Sequence, residues 1–207
     1  NRRLRREFVR LAGLHPETVS AKARSAVLKS AWFMDKQEYN GLLSALNKDL
    51  ASLPEKAWSG TKVVVSGIIN DNPKLLEIFD KNKIAIVADD VAHESRAVRV
   101  DVKETGGDPM EALAKQFSEQ DCDPLLYDPE LVKRPAYVVD LAKRNGADGV
   151  VIIMMQFCDP EELEYPSLKK ALDEAGFPSL VIGFDHQMVD FGQAETALQS
   201  FAEMLRA

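Results

Sequence analysis

The chain has 207 residues, 26 of them Lys or Arg and 33 Asp or Glu, for a formal charge of −7, with 45% apolar and 29% charged residues. That is globular composition, and it excludes a collagen-like, low-complexity or wholly disordered chain. A pI near 5.1 argues against a nucleic-acid binder. Two cysteines cannot staple a secreted scaffold, which points to a reducing, cytoplasmic setting, and the longest apolar run, Gly149 to Met155, is far short of the roughly 20 residues of a membrane helix.

The first ten residues carry five arginines. A nucleic-acid arm, an organellar presequence and a solvated amphipathic helix compete for this segment. No initiator Met begins it and no cleavage-like small-residue site follows. Leu4, Phe8, Leu11 and Leu14 make one helical stripe, which favours the amphipathic helix. Starting on Asn in mid-helix, the chain is expected to be the C-terminal part of a longer polypeptide. Gly13 closes this helix, Pro16 is expected in the first turn of a second, and Asp35 with Glu38 reads as the capping box of a third. Leu42, Leu43, Leu46 and Leu50 give the third helix its apolar face, and Pro54 stops it. Trp32, Phe33 and Met34 are expected to pack where the second and third helices meet.

The chain divides near Gly60, with a helical segment over 1–59 and an α/β domain over 60–207. Lys62–Ser66, Ile84–Ala88, Gly149–Met155 and Leu180–Phe184 are short β-branched runs, continuous rather than alternating. Such runs suit parallel strands covered on both faces. Between them lie helices with legible ends: Asn72-Pro73, Asp108-Pro109, Pro135 to Asn145-Gly146, and Asp159 as N-cap with Pro160 behind it, closing on Gly176. A last helix, about 193–206, turns Leu198, Phe201 and Leu205 inward. The pattern predicts a doubly wound, flavodoxin-like sheet of about four parallel strands.

In such sheets ligands bind beyond the carboxyl ends of the strands. The residues there are Ser66-Gly67, Asp89-Asp90 with His93, Glu94, Ser95 and Arg96, Gln156 to Asp159, and Asp185-His186. No G-x-G-x-x-G, Walker loop or G-x-S-x-G elbow is present. A flavin phosphate at Ser66-Gly67 has one Gly beside one Ser in its favour. Cys158, between a buried strand and a helix N-terminus, suits a metal ligand or a nucleophile, or is a small buried thiol. Cys122 lies in a turn-rich stretch, and its spacing from Cys158 does not discriminate.

The stretch from Met154 to Lys170, with Phe157-Cys-Asp-Pro-Glu-Glu162 and Tyr165-Pro166, resembles the signature of the 2-hydroxyacyl-CoA dehydratase family, which includes benzoyl-CoA reductase subunits. Ala88-Asp-Asp90 with Glu94-Ser-Arg96, Ser66-Gly67-Ile68, Asp121-Cys122 and Gly192-Gln193 agree in order, and the likeness is to the C-terminal portion of the smaller, β, subunits. The resemblance implies a cytoplasmic heterodimer with a larger α subunit, each subunit holding a 4Fe–4S cluster on three cysteines. An ATP-dependent iron–sulfur activator would supply an electron for ketyl-radical loss of water to the 2-enoyl-CoA, with the acyl-CoA held mainly by the α subunit. It makes Cys158 and Cys122 cluster ligands, with a third expected from an N-terminal domain. These 207 residues alone are therefore expected to be cluster-free and inactive. Asp89, Asp90, Arg96 and Ser66 are candidates to support the site; as structure instead, Asp90 would cap the following turn and Arg96 would pair with a carboxylate. His93 and His186 are expected on exposed loops, and Glu195 stands where relatives often carry arginine, which disfavours anion binding at the last helix. An aromatic acyl-CoA reductase subunit and a non-catalytic binding scaffold are the alternative functions.

Overall fold

The computed structural model describes residues 1–103, 106–120, 133–185 and 187–207. It opens with three helices, α1 (Arg2–Leu14), α2 (Ala21–Ser30) and α3 (Lys36–Ser52). Phe8 and Leu11 of α1, Leu28 of α2, and Tyr39, Leu43 and Leu50 of α3 close a core of their own. Asp35 caps α3 by accepting from the Gln37 and Glu38 N–H groups, as its sequence position predicts. Pro16 does not open α2; it lies in the preceding turn, and Ser20 is the cap. The aromatic cluster also divides. Met34 packs on the core, but the chain turns out of α2 just before Trp32 and Phe33, and both stay exposed.

Four strands follow: β1 (Thr61–Gly67), β2 (Ile84–Val91), β3 (Gly149–Met155) and β4 (Ser179–Phe184). They form one sheet in the order β2-β1-β3-β4, with every pairing parallel. This is the predicted doubly wound, flavodoxin-like arrangement. The helices between strands are α4 (Pro73–Lys81), α5 (Pro109–Ser118), α6 (Arg134–Arg144) and α7 (Asp159–Glu174), and α8 (Gly192–Arg206) ends the chain. Val63 and Val65 face one side of the sheet, where Leu75 and Phe79 of α4 and Leu198 and Phe201 of α8 cover them. Val64, Val150 and Ile152 face the other, under Val138 and Leu141 of α6 and Leu168 and Leu172 of α7. Burial on both faces is what the unbroken Val/Ile runs encode.

The N-terminal helices are not an appendage. Strand β2 is one edge of the sheet, and α1 lies against it. A Cβ on Gly13 would be driven into the Val87 carbonyl oxygen, so the missing side chain is what lets the helix approach the strand backbone. An edge strand is thereby covered. No helix among the described residues is long and apolar enough to cross a membrane.

Candidate functional site

Because the sheet order reverses direction at β1, its switch point lies between the carboxyl ends of β1 and β3. That is where an open α/β sheet offers a crevice. Ser66 and Gly67 end β1, and the turn Met155 to Cys158 leaves β3. Gly67 is in register with Ile153, and a Cβ there would lie 2.5 Å from the Ile153 carbonyl oxygen, so the two strand ends meet closely.

Strand β2 runs further than its apolar core suggests and carries Asp89 and Asp90 inside the sheet. Alternation sends their side chains to opposite faces. On one face Arg24 of α2 pairs with both Asp89 and Glu94, all three buried. On the other, Asp90 is surrounded by three arginines. Arg96 holds it through Nε and Nη2, at 3.2 and 3.1 Å, Arg99 donates at 3.0 Å, and Arg134 Nε donates at 2.7 Å. The remaining nitrogens of Arg134 donate to Ser66 Oγ at 2.7 Å and to the Glu164 carboxylate. One guanidinium at the start of α6 thus binds β1, β2 and α7 together. The two faces thus hold separate clusters, Arg24 with Asp89 and Glu94 on one, and Arg96, Arg99 and Arg134 with Asp90 and Glu164 on the other. Burial works against ionising Asp90, but Arg96, Arg134 and Arg99 outweigh it and hold its carboxyl below the usual carboxylate range. Burial pushes Glu94 the other way, and Arg24 only partly offsets it. Arg134 is held charged more firmly than usual, since Asp90 and Glu164 outweigh its own burial.

Ser66, Asp90 and Arg96 are therefore brought together, as the sequence suggested, but by Arg134, Arg99 and Glu164. Asp89 stays on the opposite face, paired with Arg24. The turn after β2 is capped by Asp89 rather than Asp90: its Oδ1 accepts from the Val91 and Ser95 N–H groups at 3.0 and 3.1 Å. Arg96 pairs with a carboxylate as the structural reading expects. Ser66 is fully buried, its hydroxyl oxygen accepting from Arg134. The signal for Arg134 was its place ahead of Pro135, a cation at a helix N-terminus where the dipole disfavours it.

The arginine-rich helix is not simply solvated. Arg2 donates to the Ala97 and Val100 carbonyls at 2.6 and 3.1 Å. Arg6 donates to the Val98 carbonyl at 2.6 Å and grips Asp101. Arg5 is buried, donates to the His93 carbonyl at 3.3 Å and lies over the Trp32 ring. Three arginines thus hold the segment that follows Asp90. His93 is only partly exposed, with Nδ1 3.1 Å from the Ile68 carbonyl oxygen. Glu195 faces Lys81 at 3.8 Å.

Cys158 is a free, half-buried thiol. It is itself the N-cap residue of α7, so Asp159 lies inside the helix and not at the cap. The turn that presents it is short: the Cys158 N–H donates to the Met155 carbonyl at 3.2 Å, and Phe157 adopts φ +63°. That left-handed conformation is uncommon for a bulky residue, and the Phe157 side chain is 89% exposed. Glu161 reaches back to accept from the Met155 N–H at 3.3 Å, while burial raises its carboxyl above the usual range. Cys122, Asp121 and His186 lie outside the described residues. Among the described residues no three His, Cys, Asp or Glu side chains converge as a metal site. A lone thiolate falls short of the cysteine set that an iron–sulfur cluster takes, so the described residues by themselves do not make that site.

Residues 1–205 match the family model described as 2-hydroxyglutaryl-CoA dehydratase, D-component. The chain belongs to this family. It is 52% identical, over 99% of its length, to the (R)-2-hydroxyglutaryl-CoA dehydratase subunit beta of Acidaminococcus fermentans, covering 55% of that protein. Identity is 42% to the (R)-phenyllactyl-CoA dehydratase beta subunit of Clostridium sporogenes and 40% to the lactoyl-CoA dehydratase subunit beta of Anaerotignum propionicum, in each case over 99% of this chain and 54% of the relative. The chain thus spans about half the length of the curated relatives it matches. The resemblance carried by the Phe157–Tyr165 stretch extends across the helices and the sheet alike.

Proposed function

We propose that this chain is part of the cluster-binding β component of a 2-hydroxyacyl-CoA dehydratase, a hydro-lyase working as a heterodimer with a larger α subunit. The observation that carries this reading is 52% identity, over 99% of the chain, to a 2-hydroxyglutaryl-CoA dehydratase β subunit. The seating of Cys158 at the switch point of the sheet supports it. Loss of water from a 2-hydroxyacyl thioester is difficult by proton abstraction, because the carbonyl does not acidify the hydrogen on C3. A low-potential iron–sulfur centre supplies the electron that side chains cannot. Cys158 and Cys122 are the thiolates this chain brings to such a centre, which needs at least one more ligand. An ATP-dependent iron–sulfur activator as electron source, an acyl-CoA held mainly by the α subunit and a cytoplasmic setting complete the proposal.

The test is anaerobic co-purification of a full-length β subunit containing this chain with the α subunit, followed by iron and sulfide analysis and by assay of 2-enoyl-CoA formation with the activator and ATP. The expected result is cluster-level iron and dehydration, with Cys158→Ser abolishing dehydration and removing the β subunit's share of the iron. Iron unchanged by this substitution, or no dehydration of 2-hydroxyglutaryl-, phenyllactyl- or lactoyl-CoA, overturns the reading. Electron stoichiometry separates the alternatives: a dehydratase recycles one electron, and a reductase consumes two per turnover.

A further inference from the structure

The start of α7 has an unusual mechanical problem. Pro160 occupies its first turn and Pro166 its interior. Pro166 has no N–H to donate to the Glu162 carbonyl, and its ring crowds that turn. The segment Asp159–Tyr165, which carries Cys158 at its head, is therefore weakly supported by the rest of its own helix. It is held from elsewhere. Glu161 accepts from the Met155 N–H, and Glu164, about 9 Å along the axis from Cys158, is gripped by Arg134. Arg134 in turn is fixed by Asp90 and Ser66. Arg134, Asp90 and Glu164 are almost wholly buried, so solvent screens the tie little.

We propose that Arg134 is a positioning residue: through Glu164 it fixes the proline-flanked first segment of α7, and so sets where the Cys158 thiol stands relative to the end of β1. That the thiol serves a cofactor rests on the functional reading above; the tie itself does not. It places the side chain that must meet a ligand under the control of a residue 24 positions earlier that touches no thiol. A fixed ligand geometry is what a metal or cluster site draws from its surroundings.

The experiment uses the 207-residue chain with Cys122→Ser, which leaves Cys158 as its sole thiol. Cys158 is cyanylated and its nitrile stretching band recorded; separately, its alkylation rate by iodoacetamide is measured. Glu164→Gln keeps shape and hydrogen bonding but removes the charge. The pair Arg134→Met with Glu164→Met replaces the tie by apolar packing of similar volume, which often preserves stability. Gly13→Ala, remote from α7, serves as a control for destabilisation alone. Both tie variants are expected to shift the nitrile band and to speed alkylation about tenfold as the α7 start loosens, with Glu164→Asp, which retains the charge, restoring part of the parental rate. Bands and rates that overlay the parent in a folded tie variant overturn the proposal, as does an equal shift in Gly13→Ala. Neither readout involves iron: if Cys158→Ser leaves the iron of the heterodimer unchanged while Glu164→Gln still releases the thiol, the functional reading falls and the positioning role stands.

Discussion

Phe157 combines two unfavourable features, a left-handed backbone and a phenyl ring left 89% in water. Such a conformation costs about 1–3 kcal/mol in a residue with a Cβ, and a ring so exposed buries little apolar surface to offset it. Phe157→Gly should therefore stabilise the chain by about 1 kcal/mol, after the extra flexibility glycine brings to the unfolded state, and raise the melting temperature by about 2–4 °C. Calorimetry decides this; a lower melting temperature would mean that the ring packs in solution. Sequence pattern located Cys158 at the mouth of a buried strand, since Gly149–Met155 is an unmistakable apolar run ending in polar residues. It did not reveal the cap shift from Asp159 to Cys158, because Asp-Pro-Glu-Glu scores as a helix start in either frame. It missed Arg134 for a different reason. The partners of that residue lie 30, 44 and 68 positions away, and no local pattern carries such pairings.

At the level of elements, the helices that flank strands were readable because their ends are punctuated. Asn72 caps α4 ahead of Pro73, and Asp108 caps α5 ahead of Pro109. The role of α1 was not readable. Its arginines look like a surface feature until the carbonyls of Ala97, Val98 and Val100 are seen beneath them. Gly13, which reads as a helix stop, instead sets the closeness of α1 to β2. A methyl group at that position must push the helix off the strand. Gly13→Ala should accordingly destabilise by about 1–3 kcal/mol through overpacking, seen as a lower urea midpoint with an unchanged slope. An unchanged midpoint would show that the helix shifts without cost. The expected burial of Trp32 and Phe33 failed because helical spacing cannot tell a turn that points rings inward from one that points them out.

Across the whole molecule, two buried ionic clusters, one on each face of β2, tie the helical segment and α7 to the sheet. Their burial makes single substitutions severe. Asp90→Asn would leave Arg96, Arg99 and Arg134 facing one fewer buried charge, and breaking such a cluster costs about 3–5 kcal/mol; thermal unfolding measures it. The pH dependence follows from the same groups. Asp90, held below the usual carboxylate range, contributes stability that is complete above that range and is lost as pH falls through its folded value. Glu94 and Glu161, raised by burial, act oppositely: the native state holds extra protons, and their contribution fades as pH rises from the ordinary value through the raised one. Stability should therefore fall in acid in the parent, with a visibly shallower acid limb in Asp90→Asn. Parallel acid limbs would remove Asp90 as the source. The parallel sheet itself was the most legible feature of all, since β-branched runs bounded by glycine and proline admit few other arrangements.

Buried charges that depend on one another also constrain a protein's descent. A lineage that loses Arg134 inherits a buried Glu164 stripped of its ion-pair partner and must alter that carboxylate before it prospers. Among homologous chains these positions should then vary as a covarying block, while the exposed arginines nearby drift one at a time.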